Sequence, residues 1–113
     1  MRAKTFHISQ LMSVYHNKLF CSFDEMRELL DYMIDWQVPL WDVPRARAAC
    51  AASLVRQYPW LAQIDMPTEF RKDHSQKITR RVAKAIGTDA VEVRPLQSGT
   101  YHATPFAKIY GYR

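Results

Sequence analysis

A capping box at residues 22–25 constrains this chain more than any other feature of its sequence. Glu25 follows Ser22 by three residues, so the serine hydroxyl can accept from the Glu25 amide while the glutamate carboxylate accepts from the Ser22 amide. The apolar residues behind this cap recur at helical spacings: Phe23, Met26, Leu29, Leu30, Met33 and Ile34. The pattern predicts an amphipathic helix from Ser22 to about Trp36, which Pro39 stops and whose apolar side faces a core.

A second helix start is predicted at residues 42–44 (Asp-Val-Pro), because proline fits the first turn of a helix. Its small residues favour a central position with close helix neighbours: Ala46, Ala49, Cys50 and Ser53. Trp36 and Trp41 bracket Pro39, and we expect them to staple the corner between the two helices rather than to form a ligand platform.

Two further helices and a strand pairing are predicted at the ends of the chain. Ser9 is suited to begin a short helix that ends at Asn17, and a later helix ends at Gly87. The later helix carries the apolar residues Ile78, Val82, Ala85 and Ile86. Residues 90–95 alternate in the manner of a short strand, and the extended residues 6–8 are its only comparable partner.

The predicted fold class is therefore mainly α, with three to four helices and a minor β pairing in one small domain spanning 1–113. Within it we expect a helical core at 6–64, a basic helix and short strand at 65–96, and an aromatic tail at 97–113. The tail contains Tyr101, Phe106, Tyr110 and Tyr112, and we expect it to dock on its own domain or on a partner.

Positive charge is concentrated in the second half of the chain. The formal net charge is +5, and residues 57–113 hold nine basic and five acidic residues. The candidates for contact with nucleic acid are Arg71, Lys72, Lys77, Arg80, Arg81 and Lys84. The alternative interpretation is a solvated basic helix whose last turn complements the helix dipole.

Several function classes find no support in the sequence. The apolar runs are too short to span a bilayer, and the first residues lack the apolar stretch of a secretory signal, so we expect a cytoplasmic protein. Cys21 and Cys50 are expected to be free and buried, although a disulfide between them is the alternative. The four histidines are scattered, and no spacing indicates a metal site, a cofactor site or a catalytic constellation. We expect a non-enzymatic protein without cofactor or metal.

The packing and capping positions of this chain resemble those of a known family. They are Leu19, Cys21, residues 29–33, Leu40, residues 44–46, Leu54, Pro59, Leu61, Gly87 and residues 91–96. From about Phe6 to Leu96 the chain resembles small proteins encoded by bacteriophages and prophages and known only as a domain of unknown function. It departs from that pattern at Asn17, where glycine is expected, and at Trp41-Asp42, where a Thr-His pair is expected.

The resemblance implies a phage accessory protein that binds a host protein in the bacterial cytoplasm. The specific function that we expect is inhibition of a defence nuclease, as in anti-CRISPR proteins. The expected contact surface is either the aromatic tail or the acidic face of the Ser22 helix, which would mimic phosphates: Asp24, Glu28, Asp31 and Asp35. The alternative function is nucleic-acid binding by the basic helix at 71–84. A homodimer is a further expectation, because three tryptophans and a small-residue helix face exceed what one short chain readily buries.

Overall fold

Four helices and one pair of strands make up the described part of the chain. The structure, a computed structural model, describes residues 3–67 and 69–97, so the predicted aromatic tail lies outside the described residues apart from Gln97. The elements are β1 (Lys4–His7), α1 (Ile8–His16), α2 (Phe23–Ile34), α3 (Val43–Gln57), α4 (Lys72–Ile86) and β2 (Ala90–Val93). Two short 3-10 turns lie at Leu40–Asp42 and Pro59–Gln63. The mainly α fold class with a minor β pairing is confirmed.

The helix ends follow the local signals of the sequence at three positions. The Ser22 hydroxyl accepts from the Glu25 amide at 3.1 Å, and the Glu25 carboxylate accepts from the Ser22 amide at 3.0 Å, so the capping box is complete. Asn17 and Gly87 take the left-handed conformation, with φ of 57° and 84°, and end α1 and α4. The bonds of the Ser22 cap span three residues, and the Gly87 amide donates to the Ala83 carbonyl, four residues back, at 2.9 Å.

Two helix ends differ from the prediction. Helix α1 is capped by His7 rather than Ser9, because the His7 Nδ1 accepts from the Ser9 amide at 3.1 Å and the Gln10 side chain accepts from the His7 amide at 3.0 Å. Helix α2 ends at Asp35, which adopts a left-handed φ of 62°, before the chain reaches Trp36 or Pro39.

The core lies where three helices meet. Helix α1 contacts both α2 and α3, α2 also contacts α3, and α4 contacts α1. The largest fully buried side chains come from α1, α2, α3 and the second 3-10 turn: Ile8, Leu11, Met12, Leu29, Leu30, Met33, Leu54 and Leu61. On α3, Ala46 and Cys50 are fully buried, which confirms the predicted central position of its small-residue face.

Strands β1 and β2 pair antiparallel and bring the two ends of the described chain together. Lys4 lies opposite Val93 and His7 lies opposite Ala90, and the Ile8 amide extends the contact by donating to the Asp89 carbonyl at 2.9 Å. The pairing predicted for residues 6–8 with 90–95 is confirmed with its centre shifted toward Lys4. The pairing therefore holds the segment that follows the C-terminal end of α4 against the start of the chain. Among the described residues, no helix has the length and apolar character needed to cross a bilayer.

Candidate functional site

Helix α4 presents a continuous basic surface. All six predicted nucleic-acid contacts are exposed, and Lys77, Arg80, Arg81 and Lys84 share one face of α4 at helical spacings of three, four and seven residues. We call these four residues the basic stripe. The opposite side of α4 is the buried one, formed by Ser75, Ile78 and Val82. The stripe therefore points away from the core along about two turns of helix.

The remaining two basic candidates lie at the beginning of α4. Arg71 is the N-cap residue, and its guanidinium lies 3.5 Å from the Glu69 carboxylate. Lys72 is the first residue of the helix, followed by the acidic Asp73. The structure thus brings four of the six candidates together, places Arg71 beside Glu69 and leaves Lys72 at the first turn of the helix, outside the stripe.

A cleft lies beside the basic stripe, between the second 3-10 turn and α4. We call it the α4 cleft; its volume is about 250 Å³. It is lined by Trp60, Gln63, Ile64, Asp65, Ile78, Arg81, Val82, Ala85 and Ile86. Arg81 belongs to both the cleft and the stripe. Of the apolar residues that indicated this helix, Ile78 and Val82 are buried, Ile86 is half-buried and Ala85 is exposed at this cleft.

The acidic candidates on α2 lie in an open groove that also contains cations. This acidic groove is lined by Lys4, Asp24, Arg27, Glu28, Asp31, Tyr32 and Gln37, so three of the four predicted carboxylates come together. The fourth, Asp35, is the C-terminal cap of α2 and does not line the groove. Because Lys4 and Arg27 offset part of the negative charge, the groove is less anionic than the sequence indicates.

Asp31 and Arg27 hold the connection that follows α2. The Asp31 carboxylate accepts from the Val38 amide at 2.8 Å, and the Arg27 guanidinium donates to the Val38 carbonyl at 2.6 Å. Val38 itself is fully buried. The two side chains therefore satisfy both backbone groups of a core residue that belongs to no helix. Asp31 has a structural role that sequence reasoning missed, because its partner lies outside the helical repeat.

Large apolar side chains are exposed between residues 19 and 41. We call five of them the apolar surface; their exposed fractions lie between 39 % and 64 %. They form two groups: Leu19 and Phe23 beside the start of α2, and Trp36, Leu40 and Trp41 between residues 36 and 41, after its end. Trp36 and Trp41, which were expected to staple the corner after α2, are 52 % and 45 % exposed, and Val38 takes the fully buried position between them. Phe23 was predicted to face the core, but it is the first residue of α2, at the edge of that core.

Part of the apolar surface forms a cleft of its own. Leu19 and Phe23 line a space of about 350 Å³ together with Met26, Val43 and Pro44. The polar members of its lining are Ser13, Asn17, Lys18 and Arg47. Its wall next to α1 is the loop from Asn17 to Cys21.

Buried Ser13 on α1 shapes that loop. Its hydroxyl donates to the Ser9 carbonyl at 2.7 Å and accepts from the Phe20 amide at 2.8 Å. A single side chain thereby bridges the helix and the loop, in which Phe20 is buried and its neighbour Leu19 is exposed.

The buried or half-buried titratable side chains include Cys21, Cys50 and His16. Cys21 and Cys50 are free, as predicted, but only Cys50 is buried, whereas Cys21 is half-buried. Burial raises the pKa of Cys50 to about 12. Burial also lowers the pKa of His16, while a backbone hydrogen bond with Leu61 partly offsets this effect. In the part of the chain that the structure describes, no three histidine, cysteine or acidic side chains lie close enough together to hold a metal ion.

The fold and its surfaces define a small helical domain, closed by a strand pair, that exposes a basic stripe, an acidic groove and an apolar surface. The chain belongs to the family described as a domain of unknown function (DUF7736), whose model matches residues 6–64, more than half of the chain. The matched region contains α1, α2, α3 and the second 3-10 turn, and it ends before α4. The sequence comparison with curated proteins and the comparison with solved structures give no match.

Proposed function

We propose that this chain is a non-enzymatic accessory protein that binds another protein through its apolar surface. The observation that carries the proposal is the exposure of five large apolar side chains, two of them tryptophans, within residues 19–41. Exposed apolar patches are typical of interaction sites, and tryptophan is enriched among the residues that dominate binding energy.

The charges beside the apolar surface specify the chemistry of the partner. Asp24 follows Phe23 directly, Glu28 lies one turn further along α2, and Asp35 precedes Trp36, so exposed carboxylates flank the apolar residues. A partner with an apolar contact patch and a basic rim complements this arrangement, because complementary charges steer association and exclude wrong partners.

The biological setting that fits such a partner is inhibition of a host defence protein. A nuclease that handles nucleic acid presents the basic groove that the carboxylates of α2 complement, and the resemblance to phage and prophage proteins supports a role in the cytoplasm of an infected bacterium. In this proposal the chain covers the nuclease surface and performs no chemistry of its own.

Affinity capture with matched surface variants tests the proposal. The tagged chain is incubated with bacterial lysate, with and without nuclease treatment. The double variant Trp36→Ser/Leu40→Ser and the control variant Arg80→Ala/Lys84→Ala are treated in parallel. We expect one stoichiometric host protein that the wild type and the α4 control retain. The apolar variant loses it, because truncating a central interface tryptophan costs about 2 kcal/mol or more.

Circular dichroism and the unfolding midpoint of each variant establish that all three proteins are folded. A partner that both double variants retain equally would refute the assignment of the apolar surface. Capture that vanishes with nuclease treatment would refute the protein-binding proposal and favour nucleic acid.

The second candidate function is nucleic-acid binding by the basic stripe, and a separate observation favours it. Four exposed cations share one face of α4, opposite its buried side. If each neutralises one phosphate of a duplex, the logarithm of the binding constant falls against the logarithm of salt concentration with a slope of about −4.

The salt dependence of DNA binding tests this second candidate. Replacing Arg80 and Lys84 with alanine should reduce the steepness of that slope by about 2, since each residue accounts for about one released counterion. The control Arg56→Ala removes an exposed cation of α3 and should leave the slope unchanged. A slope near zero for the wild type would exclude this function.

A further inference from the structure

The α4 cleft and the basic stripe share Arg81 and form one continuous surface. We propose that the cleft receives one unstacked base of a single-stranded nucleic acid whose phosphates lie along the stripe. This inference rests on the second candidate function, nucleic-acid binding by α4, and adds to it the form of nucleic acid that binds and the place where a base is held.

The size of the cleft suits one base. Its volume of about 250 Å³ lies below the range of about 300–1,000 Å³ that is typical of pockets for larger ligands. Ile64 and Ile86 supply apolar wall, and Trp60 contributes an aromatic side chain that is half-buried against the domain. A flat ring system stacks on aromatic and apolar side chains of this kind whatever its sequence.

The polar groups of the cleft match the edge of a base. Gln63 offers an amide that both donates and accepts, and Asp65 offers a carboxylate that accepts. A carboxylate accepts from the exocyclic amino group of a base such as cytosine, so the cleft favours bases that carry an amino group. Arg81, at the border of cleft and stripe, is placed to meet the phosphate attached to the bound nucleotide.

A duplex cannot use the cleft in this way. Its bases are stacked and paired, so a base enters a pocket only after the cost of unstacking has been met, and this cost is least in a single strand. The stripe contacts the phosphates of either form, because it offers only cations at the helix surface. Filling the cleft should therefore weaken the binding of the single strand and leave the affinity for the duplex unchanged.

Fluorescence anisotropy with two labelled probes tests the inference. The probes are an unstructured strand of about 12 nucleotides with alternating dA and dC, and the duplex that it forms with its complement. Ala85→Trp fills the cleft from an exposed position that lines it, and Ala62→Trp adds the same side chain at an exposed position of the second 3-10 turn that does not line the cleft. Lys77→Ala/Lys84→Ala removes half of the stripe.

The expected result is a wild-type protein that binds the strand more tightly than the duplex. Ala85→Trp should weaken strand binding about tenfold, in keeping with the loss of one stacked base, and leave duplex binding unchanged. Ala62→Trp should change neither affinity, and the lysine variant should weaken both.

Two other results would overturn the inference in distinguishable ways. If the wild type binds both probes and Ala85→Trp binds the strand as well as Ala62→Trp does, the cleft does not hold a base while the stripe still binds phosphates. If the wild type binds neither probe, the nucleic-acid function itself fails and the inference fails with it.

Discussion

Replacing Ser13 with alanine should lower the free energy of unfolding far more than removing a hydroxyl group from the protein surface would. The hydroxyl is buried, and it accepts the hydrogen bond of the Phe20 amide at 2.8 Å. Alanine leaves this buried amide without its acceptor, and an unsatisfied buried donor costs about 1–3 kcal/mol. We expect a loss of about 2 kcal/mol in the free energy of unfolding, which lowers the urea midpoint by about 1 M at the usual slope for a small domain.

Ser75→Ala is the matched control for this experiment. Ser75 is also a buried helix serine, and its hydroxyl donates to the Lys72 carbonyl at 2.7 Å. Its removal takes away a donor and leaves no amide stranded, so we expect a change within about 0.5 kcal/mol. Urea unfolding followed by circular dichroism measures both variants. Equal midpoints for Ser13→Ala and Ser75→Ala would show that the Phe20 amide is not held as we describe.

Three further predictions follow from buried groups. Asp31→Ala should lower the free energy of unfolding by about 1–3 kcal/mol, because the Val38 amide loses its acceptor. Glu28→Ala in the same groove should change the free energy of unfolding by less than about 0.5 kcal/mol, and urea midpoints compare the two variants. Because burial lowers the pKa of His16, the unfolded chain binds this proton more readily, so stability should fall as the pH drops below about 6.5, and His16→Gln should flatten that dependence of the urea midpoint. Cys50, whose pKa is raised to about 12, should react with a thiol reagent near neutral pH only after denaturant is added; fast reaction of the native protein would contradict its burial.

The local signals of the sequence predicted most of the secondary structure. The Ser22–Glu25 box, Asn17 and Gly87 begin or end helices where expected, because each cap joins groups only a few residues apart along the chain. The basic candidates on α4 were also located correctly as exposed residues, since a helical repeat assigns them to one face. The same reasoning placed the end of α2 close to its observed position but assigned the stop to Pro39. The helix is instead capped by Asp35 in the left-handed conformation, which aspartate adopts only occasionally.

The candidate sites also differ in whether the local sequence or the tertiary structure determines them. The basic stripe depends on spacing within one helix, so the sequence alone determined it. The α4 cleft requires the second 3-10 turn to pack against α4, and the acidic groove requires Lys4 of β1 to lie beside α2. Neither neighbour is encoded in a repeat, because contacts between distant segments depend on how the whole core fills. The sequence by itself therefore determined the helices, their caps and their charged faces, and only the tertiary structure decided which clefts form between them and which tryptophans remain exposed.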